Sequence, residues 1–150
     1  MRLTICFAVT LLIAGCGDEK PAEPTHQDSQ KSVMPDATAV SVTNGQAIYV
    51  QSCLLCHQHD GGGVPDMQPP LVDSAIAGGD ADVLIDLVLR GIGGKPPSLP
   101  ASGKYAMVMP GVPQLTDQQI ADLLTYIRQE YVQAGPISPV EVAAVRAKLE

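Results

Sequence analysis

The stretch Cys53-Leu54-Leu55-Cys56-His57 decides how the rest of this chain is interpreted. Two cysteines with two residues between them, followed directly by histidine, are typical of a site where haem is attached covalently. Each thiol can add to one vinyl group of the macrocycle, and the adjacent imidazole is then held beneath the iron. The motif therefore predicts one haem c, attached through Cys53 and Cys56, with His57 as the proximal iron ligand.

Three other uses of the two cysteines fit the sequence less well. A thioredoxin-like redox motif follows a buried strand in a βαβ pattern, whereas residues 45–52 favour a short helix. A zinc site needs a second pair of ligands, and no cysteine follows Cys56. A disulfide between Cys53 and Cys56 would close a very small, strained loop. Haem attachment is the use that the residues favour.

The N-terminal part of the chain reads as an export signal and a tether. A basic start at Arg2, an apolar run and small residues before Cys16 predict a signal peptide over residues 1–15. Residues 12–16 resemble a bacterial lipobox, which would make Cys16 a lipidated N-terminus; the alternative is an ordinary signal with an incidental cysteine. Residues 16–39 are polar and proline-rich, which predicts a flexible tether. The folded domain is expected over residues 40–150.

The net charge and the predicted export signal indicate what kind of partner the protein has and where it is located. Nine Lys and Arg residues stand against 16 Asp and Glu residues, for a net charge of −7. Such a surface disfavours nucleic acid and favours protein partners with a basic docking face. The lipid would hold the domain on the periplasmic side of a bacterial membrane. Gly17, next to Cys16, leans weakly towards the outer membrane and leaves the choice of membrane open.

Helix signals recur through the folded part of the chain. Thr43 and Gln46 fit a capping box before a helix over residues 44–52, and Asp80 fits the cap of a helix over residues 81–90. Further capping boxes predict helices over residues 117–131 and from Pro139 to about Lys148. No alternating pattern of strand length is present, so the predicted class is all-α.

The sixth position on the iron is expected to belong to a methionine. Methionine there raises the reduction potential and suits electron transfer, whereas an open position suits gas binding or peroxide chemistry. Met109 and Met107 lie between the second and third predicted helices and point in opposite directions if the loop is extended. Pro110 stiffens the chain beside Met109. These residues favour Met109, with Met107 as the alternative.

Taken together, these motifs resemble the class I cytochromes c over roughly residues 43–131. Gly45-Gln46-Ala47-Ile48-Tyr49 is similar to the N-terminal helix of that family, and Leu123-Leu124-Thr125-Tyr126-Ile127 to its C-terminal helix. Pro69-Pro70-Leu71 is similar to the segment in which a proline carbonyl bonds the axial histidine, and Met109-Pro110 to the distal ligand. One departure is Gly111-Val112, where many relatives carry an aromatic residue.

The resemblance implies a cytochrome c fold, with about four helices around one covalently bound haem and a short C-terminal helix. It implies an electron carrier rather than an enzyme, in which Pro69 orients His57, and the lipobox adds a lipid anchor at Cys16. Arg90 and Tyr105 are candidates for contacts with the haem propionates. Residues 135–146 resemble the ends of single-haem domains of quinoprotein dehydrogenases and some oxidases. The alternatives are a haem subunit of such a complex, or a gas sensor or peroxidase with an open sixth site.

Overall fold

The computed structural model describes residues 36–93, 99–100 and 103–149. The predicted signal peptide, the predicted lipidation site Cys16 and almost all of the predicted tether lie outside these residues. Within them the all-α prediction is confirmed, because helices dominate and the only strands are two short segments that pair with each other. The elements in chain order are α1 (Ala37–Ser52), α2 (Leu54–His57), α3 (Ala81–Arg90), β1 (Gly91–Ile92), β2 (Met109–Pro110), α4 (Asp117–Tyr131) and α5 (Pro139–Arg146).

Helices α1 and α4 cross and pack directly against each other. Gly45 of α1 is buried, and a Cβ atom added there would overlap the carbonyl oxygen of Asp122 and lie 2.7 Å from Cβ of Tyr126. Only glycine lets the two helix backbones approach this closely. The small residue that the sequence places before the motif is therefore the contact point of the two helices.

Helix α1 begins earlier than its sequence predicts. Its N-cap is Asp36, whose side chain accepts a hydrogen bond from the backbone N–H of Thr38, so the capping box predicted at Thr43 is wrong. The extra turns are held by tertiary contacts. Ser41 and Asn44 both donate hydrogen bonds to the carboxylate of Asp122, which is buried on α4. Those contacts satisfy a buried charge and extend the helix beyond its local signal.

The other helix boundaries follow their local signals. Asp80 caps α3 by accepting from Val83 N–H, as predicted. Thr116 and Gln119 form the capping box that starts α4. Ser138 and Glu141 form the one that starts α5. Helix α5 ends at Arg146, slightly before the predicted end near Lys148.

The hydrophobic core joins α1, α3, α4 and α5. Helix α4 lies at its centre, since it packs against both α1 and α5, and α5 also packs against α3. The most completely buried large side chains are Tyr49, Ile85, Ile120, Leu123, Leu124 and Val142. Within the part of the chain that the structure describes, no helix is both long and apolar enough to cross a membrane.

Candidate functional site

A large apolar cleft opens beside α2. Its volume is about 1080 Å³ when the open mouth is counted. Apart from Ser52, Gln68 and Ser74, its walls are almost entirely apolar. The lining residues include Cys53, Cys56, His57, Pro69, Leu71, Leu84, Val88, Met107, Met109, Val112, Leu123 and Ile127. The cleft thus gathers the predicted attachment motif, Pro69 and both candidate methionines.

The cysteines and the histidine of the motif share one turn of helix. The N–H of His57 donates to the carbonyl oxygen of Cys53 at 2.9 Å, which forms the single turn α2. Residues three and four apart lie on the same side of a helix, so Cys53, Cys56 and His57 present their side chains together. Both cysteines are free thiols that line the cleft. Burial, with a smaller contribution from Cys56, raises the pKa of the Cys53 thiol to about 11.

His57 is buried and held in one orientation. Its Nδ1 lies 3.0 Å from the carbonyl oxygen of Pro69. A carbonyl can only accept, so Nδ1 carries the proton and Nε2 keeps the lone pair that a metal ligand needs. Burial lowers the pKa of His57, while the hydrogen bond to Pro69 opposes that shift. The neutral, ligating form of the imidazole is therefore favoured in this environment.

Three successive backbone carbonyls fix the chain directly after the motif. The carbonyl of His57 accepts from Gly63 N–H at 3.1 Å. The carbonyl of Gln58 accepts from the Tyr49 hydroxyl at 2.6 Å, and that of His59 from the Tyr131 hydroxyl at 3.1 Å. Because Tyr49 lies on α1 and Tyr131 on α4, the motif is tied to both helices of the crossing. This role of Tyr131 could not be predicted from the sequence, because no local pattern indicates it.

The two candidate methionines are held differently. Met109 lies in β2, where it pairs with Ile92, and its half-buried side chain packs against the hydrophobic core. Met107 is 50% exposed, and its N–H donates to the carbonyl oxygen of Met67 at 3.2 Å. Both residues line the cleft. Tertiary contacts therefore constrain the side chain of Met109 more strongly than that of Met107.

The remaining sequence candidates lie as follows. His59, two residues after His57, is exposed. Arg90 forms an ion pair with Asp86 one helical turn earlier. Tyr105 lies beneath the amino group of Lys104, whose nitrogen is 5.2 Å from the ring centroid. Neither Arg90 nor Tyr105 is among the residues that line the cleft.

Comparison with known proteins gives a consistent family. A profile of the cytochrome c family matches residues 42–130. The cytochrome c subunit of a quinone alcohol dehydrogenase from Gluconacetobacter polyoxogenes is 32% identical over 126 residues, which are 81% of this chain and 26% of that subunit. A cytochrome c-552 of Thermus thermophilus is 33% identical over 121 residues, covering 73% of this chain and 79% of that protein.

A third relative is the fructose dehydrogenase cytochrome subunit of Gluconobacter japonicus. It is 33% identical over 119 residues, which are 75% of this chain and 24% of that subunit. The chain thus spans only about a quarter of the length of the dehydrogenase subunits that it matches. It spans most of the length of cytochrome c-552.

Proposed function

Since the chain belongs to the cytochrome c family and carries covalently bound haem c, we propose that it transfers single electrons through a haem with His57 and Met109 as axial ligands. Cys53 and Cys56 attach the haem, and Pro69 orients His57. The observation that carries this proposal is the convergence of the motif, the Pro69 carbonyl and Met109 on one apolar cleft.

The cleft suits the group that the family implies. A haem is a flat, apolar macrocycle, and the walls of the cleft are almost entirely apolar. Both thiols of the motif are unpaired and face the cleft, as covalent attachment requires. When bound, the haem supplies a one-electron Fe(III)/Fe(II) couple. The chain itself supplies attachment, axial ligands and an apolar environment.

His57 and Pro69 act together as ligand and orienting group. The hydrogen bond from Nδ1–H to the Pro69 carbonyl fixes the ring and its tautomer, and it raises the basicity of the imidazole. The acceptor is the backbone carbonyl of Pro69, so replacing the side chain at position 69 does not remove this hydrogen bond. The oriented imidazole then needs no rearrangement when the oxidation state changes.

Met109 is the proposed sixth ligand and Met107 the alternative. The pairing of Met109 with Ile92 and its packing against the core support Met109. A thioether ligand held by the fold raises the reduction potential and leaves no open coordination site. The high exposure of Met107 supports a role at the mouth of the cleft instead.

We further propose that the domain works on the periplasmic side of a bacterial membrane, anchored through a lipid on Cys16. The net charge of −7 favours redox partners with a basic docking face. The names of the relatives favour a second candidate, in which the chain is the haem subunit of a dehydrogenase. Copurification of a dehydrogenase from detergent-solubilised membranes would support that candidate. Release of the Cys16→Ala variant into the soluble periplasmic fraction would support the anchor.

The visible spectrum of the haem-loaded protein tests the ligand assignment. We expect the oxidised protein to show the weak red band of a methionine–iron bond, and we expect Met109→Ala but not Met107→Ala to lose it. Attachment is tested by the mass of Cys53→Ala and Cys56→Ala proteins, each expected to retain haem through one bond only. Absence of the red band from the unaltered protein, with prompt carbon monoxide binding after reduction, would instead favour a gas sensor or a peroxidase.

A further inference from the structure

Arg146, in the last turn of α5, binds the segment that leads from the cleft into α4. Its Nε lies 2.8 Å from Oδ1 of Asp117. The two terminal nitrogens donate to the carbonyl oxygens of Pro113 at 2.9 Å and Leu115 at 2.7 Å. A planar guanidinium that serves three acceptors in one segment fixes the position of that segment, which a single ammonium group cannot do.

The same segment begins at Met109. Upstream of Arg146's acceptors, Val112 N–H donates to the carbonyl oxygen of Val88 at 3.0 Å, and Met109 pairs with Ile92. Contacts with α3 and β1 therefore hold the first half of the segment over residues 109–117. Arg146 holds the second half, residues 113–117.

The helix that carries Arg146 is firmly seated. Val142 and Val145 of α5 are buried in the core against α3 and α4. The capping box of Ser138 and Glu141 starts the helix. A side chain on a packed helix is a better anchor than one on a loop, because its backbone does not move with the segment it holds.

We infer that Arg146 is a positioning residue for the distal methionine. By fixing residues 113–117, it limits the local opening that would withdraw Met109 from the iron. The helix that carries it lies outside residues 42–130, the part of the chain that matches the family profile. The inference rests on the proposed function only through the assignment of Met109 as ligand.

Three haem-loaded variants of the full chain test this role. Arg146→Gln removes the charge and the fork, Arg146→Lys keeps the charge alone, and Lys148→Gln is the matched control. Lys148 lies just beyond the same helix, and its ion pair with Asp82 does not involve the segment. Two measurements are made on each protein. One is the rate at which the reduced form binds carbon monoxide. The other is the hydrogen-exchange rate of the Leu115 amide, which donates a hydrogen bond to the carbonyl oxygen of Val112.

Arg146→Gln is expected to raise both rates roughly tenfold, the size expected from losing charge-assisted hydrogen bonds. Arg146→Lys should lie close to Arg146→Gln, because one ammonium group cannot replace the fork. Lys148→Gln should match the unaltered protein. Exchange of the Leu124 amide, in the centre of α4, reports global unfolding. Because global unfolding also breaks the hydrogen bonds of Arg146, this rate should rise by no more than the rate of the Leu115 amide.

The inference is overturned if Arg146→Gln and Lys148→Gln give the same rates, or if Arg146→Gln accelerates exchange of the Leu115 amide and leaves the rate of carbon monoxide binding unchanged. A different result identifies failure of the proposed function. If the unaltered protein lacks the red band and binds carbon monoxide promptly, the methionine assignment is wrong. In that case hydrogen exchange still shows whether Arg146 holds the segment.

Discussion

Gly91 and Met109 lie against each other so closely that a Cβ atom at Gly91 would overlap the carbonyl oxygen of Met109. Gly91 is the C-cap of α3 and has a φ of 73°, a conformation that favours glycine. Gly91 therefore both ends α3 and allows β2 to approach closely. The end of α3 and the position of Met109, the proposed distal ligand, both depend on this one glycine.

Replacing Gly91 by alanine should displace β2. Two costs add, one from the positive φ and one from the overlap with Met109, so we expect a loss of at least about 2 kcal/mol in the free energy of unfolding. The oxidised protein should also lose part or all of its red methionine–iron band. Chemical denaturation and the visible spectrum are the measurements.

Gly103→Ala is the matched control for that substitution. Gly103 has a φ of 75° but no atom within 4 Å of its added Cβ, so it isolates the conformational cost, about 1 kcal/mol. Its spectrum should remain that of the unaltered protein. If the two variants behave alike, contact with Met109 is not what Gly91 provides.

Replacing Gly45 by alanine should weaken the crossing of α1 and α4. The new methyl group would overlap the carbonyl of Asp122, and relieving that overlap is expected to cost about 1–3 kcal/mol. Gly135→Ala, where nothing lies within 4 Å of the added atom, should change the free energy of unfolding by less than about 1 kcal/mol. Urea unfolding followed by circular dichroism compares the two. Equal stabilities would contradict the close approach of the helices.

Replacing Tyr131 by phenylalanine should loosen the chain after the motif. The substitution keeps the ring in its contacts with Tyr49 and Tyr126. It removes the hydroxyl, which donates to the His59 carbonyl and also forms hydrogen bonds with the hydroxyls of Tyr49 and Tyr126. We expect a loss of about 1 kcal/mol in the free energy of unfolding. Tyr105→Phe is the control, since no hydrogen bond involves that hydroxyl among the described residues. A stability unchanged from the unaltered protein would show that the His59 carbonyl is equally well bonded to water.

The capping box of α5 should make part of the stability depend on pH. Hydrogen bonds from the side chain and backbone of Ser138 hold the pKa of Glu141 below its ordinary value. The contribution of the carboxylate is therefore complete above the pKa of the unfolded chain, about 4.3, and is lost as the pH falls through the lower folded value.

Two variants test that dependence. Ser138→Ala is expected to cost about 1 kcal/mol at neutral pH, the usual size of an N-cap contribution. Glu141→Gln should be less stable than the unaltered protein at pH 7, and the difference should shrink as the pH falls below about 4. Thermal unfolding across pH 3–7 gives both results. A difference that stays constant with pH would show that the charge of Glu141 contributes nothing to the cap.

Several features of this protein could be predicted from local sequence because they depend on neighbouring residues. The haem motif places two thiols and an imidazole within one helical turn, and no remote contact is needed to bring them together. Capping residues such as Asp80 and Ser138 likewise act within the first turn of their own helix. The class of the fold, the cofactor and the starts of α3, α4 and α5 follow from such signals.

Other features could not be predicted from the sequence, because the residues involved contact partners that are distant along the chain. Helix α1 extends back to Ala37, and the contacts of Ser41 and Asn44 with Asp122 that hold its first turns have no local sequence pattern. Tyr131 reaches back to His59 for the same kind of reason. Residues far apart in the sequence meet only when the helices pack, so no single segment of the sequence indicates their roles.

The sequence by itself therefore determined the attachment motif, the all-α class and most of the caps. Only the tertiary structure decided how α1 and α4 cross, how Met109 is held against α3 and β1, and which residues Arg146 binds. The physical reason is that covalent geometry and capping act over one turn of chain. Packing and long-range hydrogen bonds exist only once the whole domain has closed around its core.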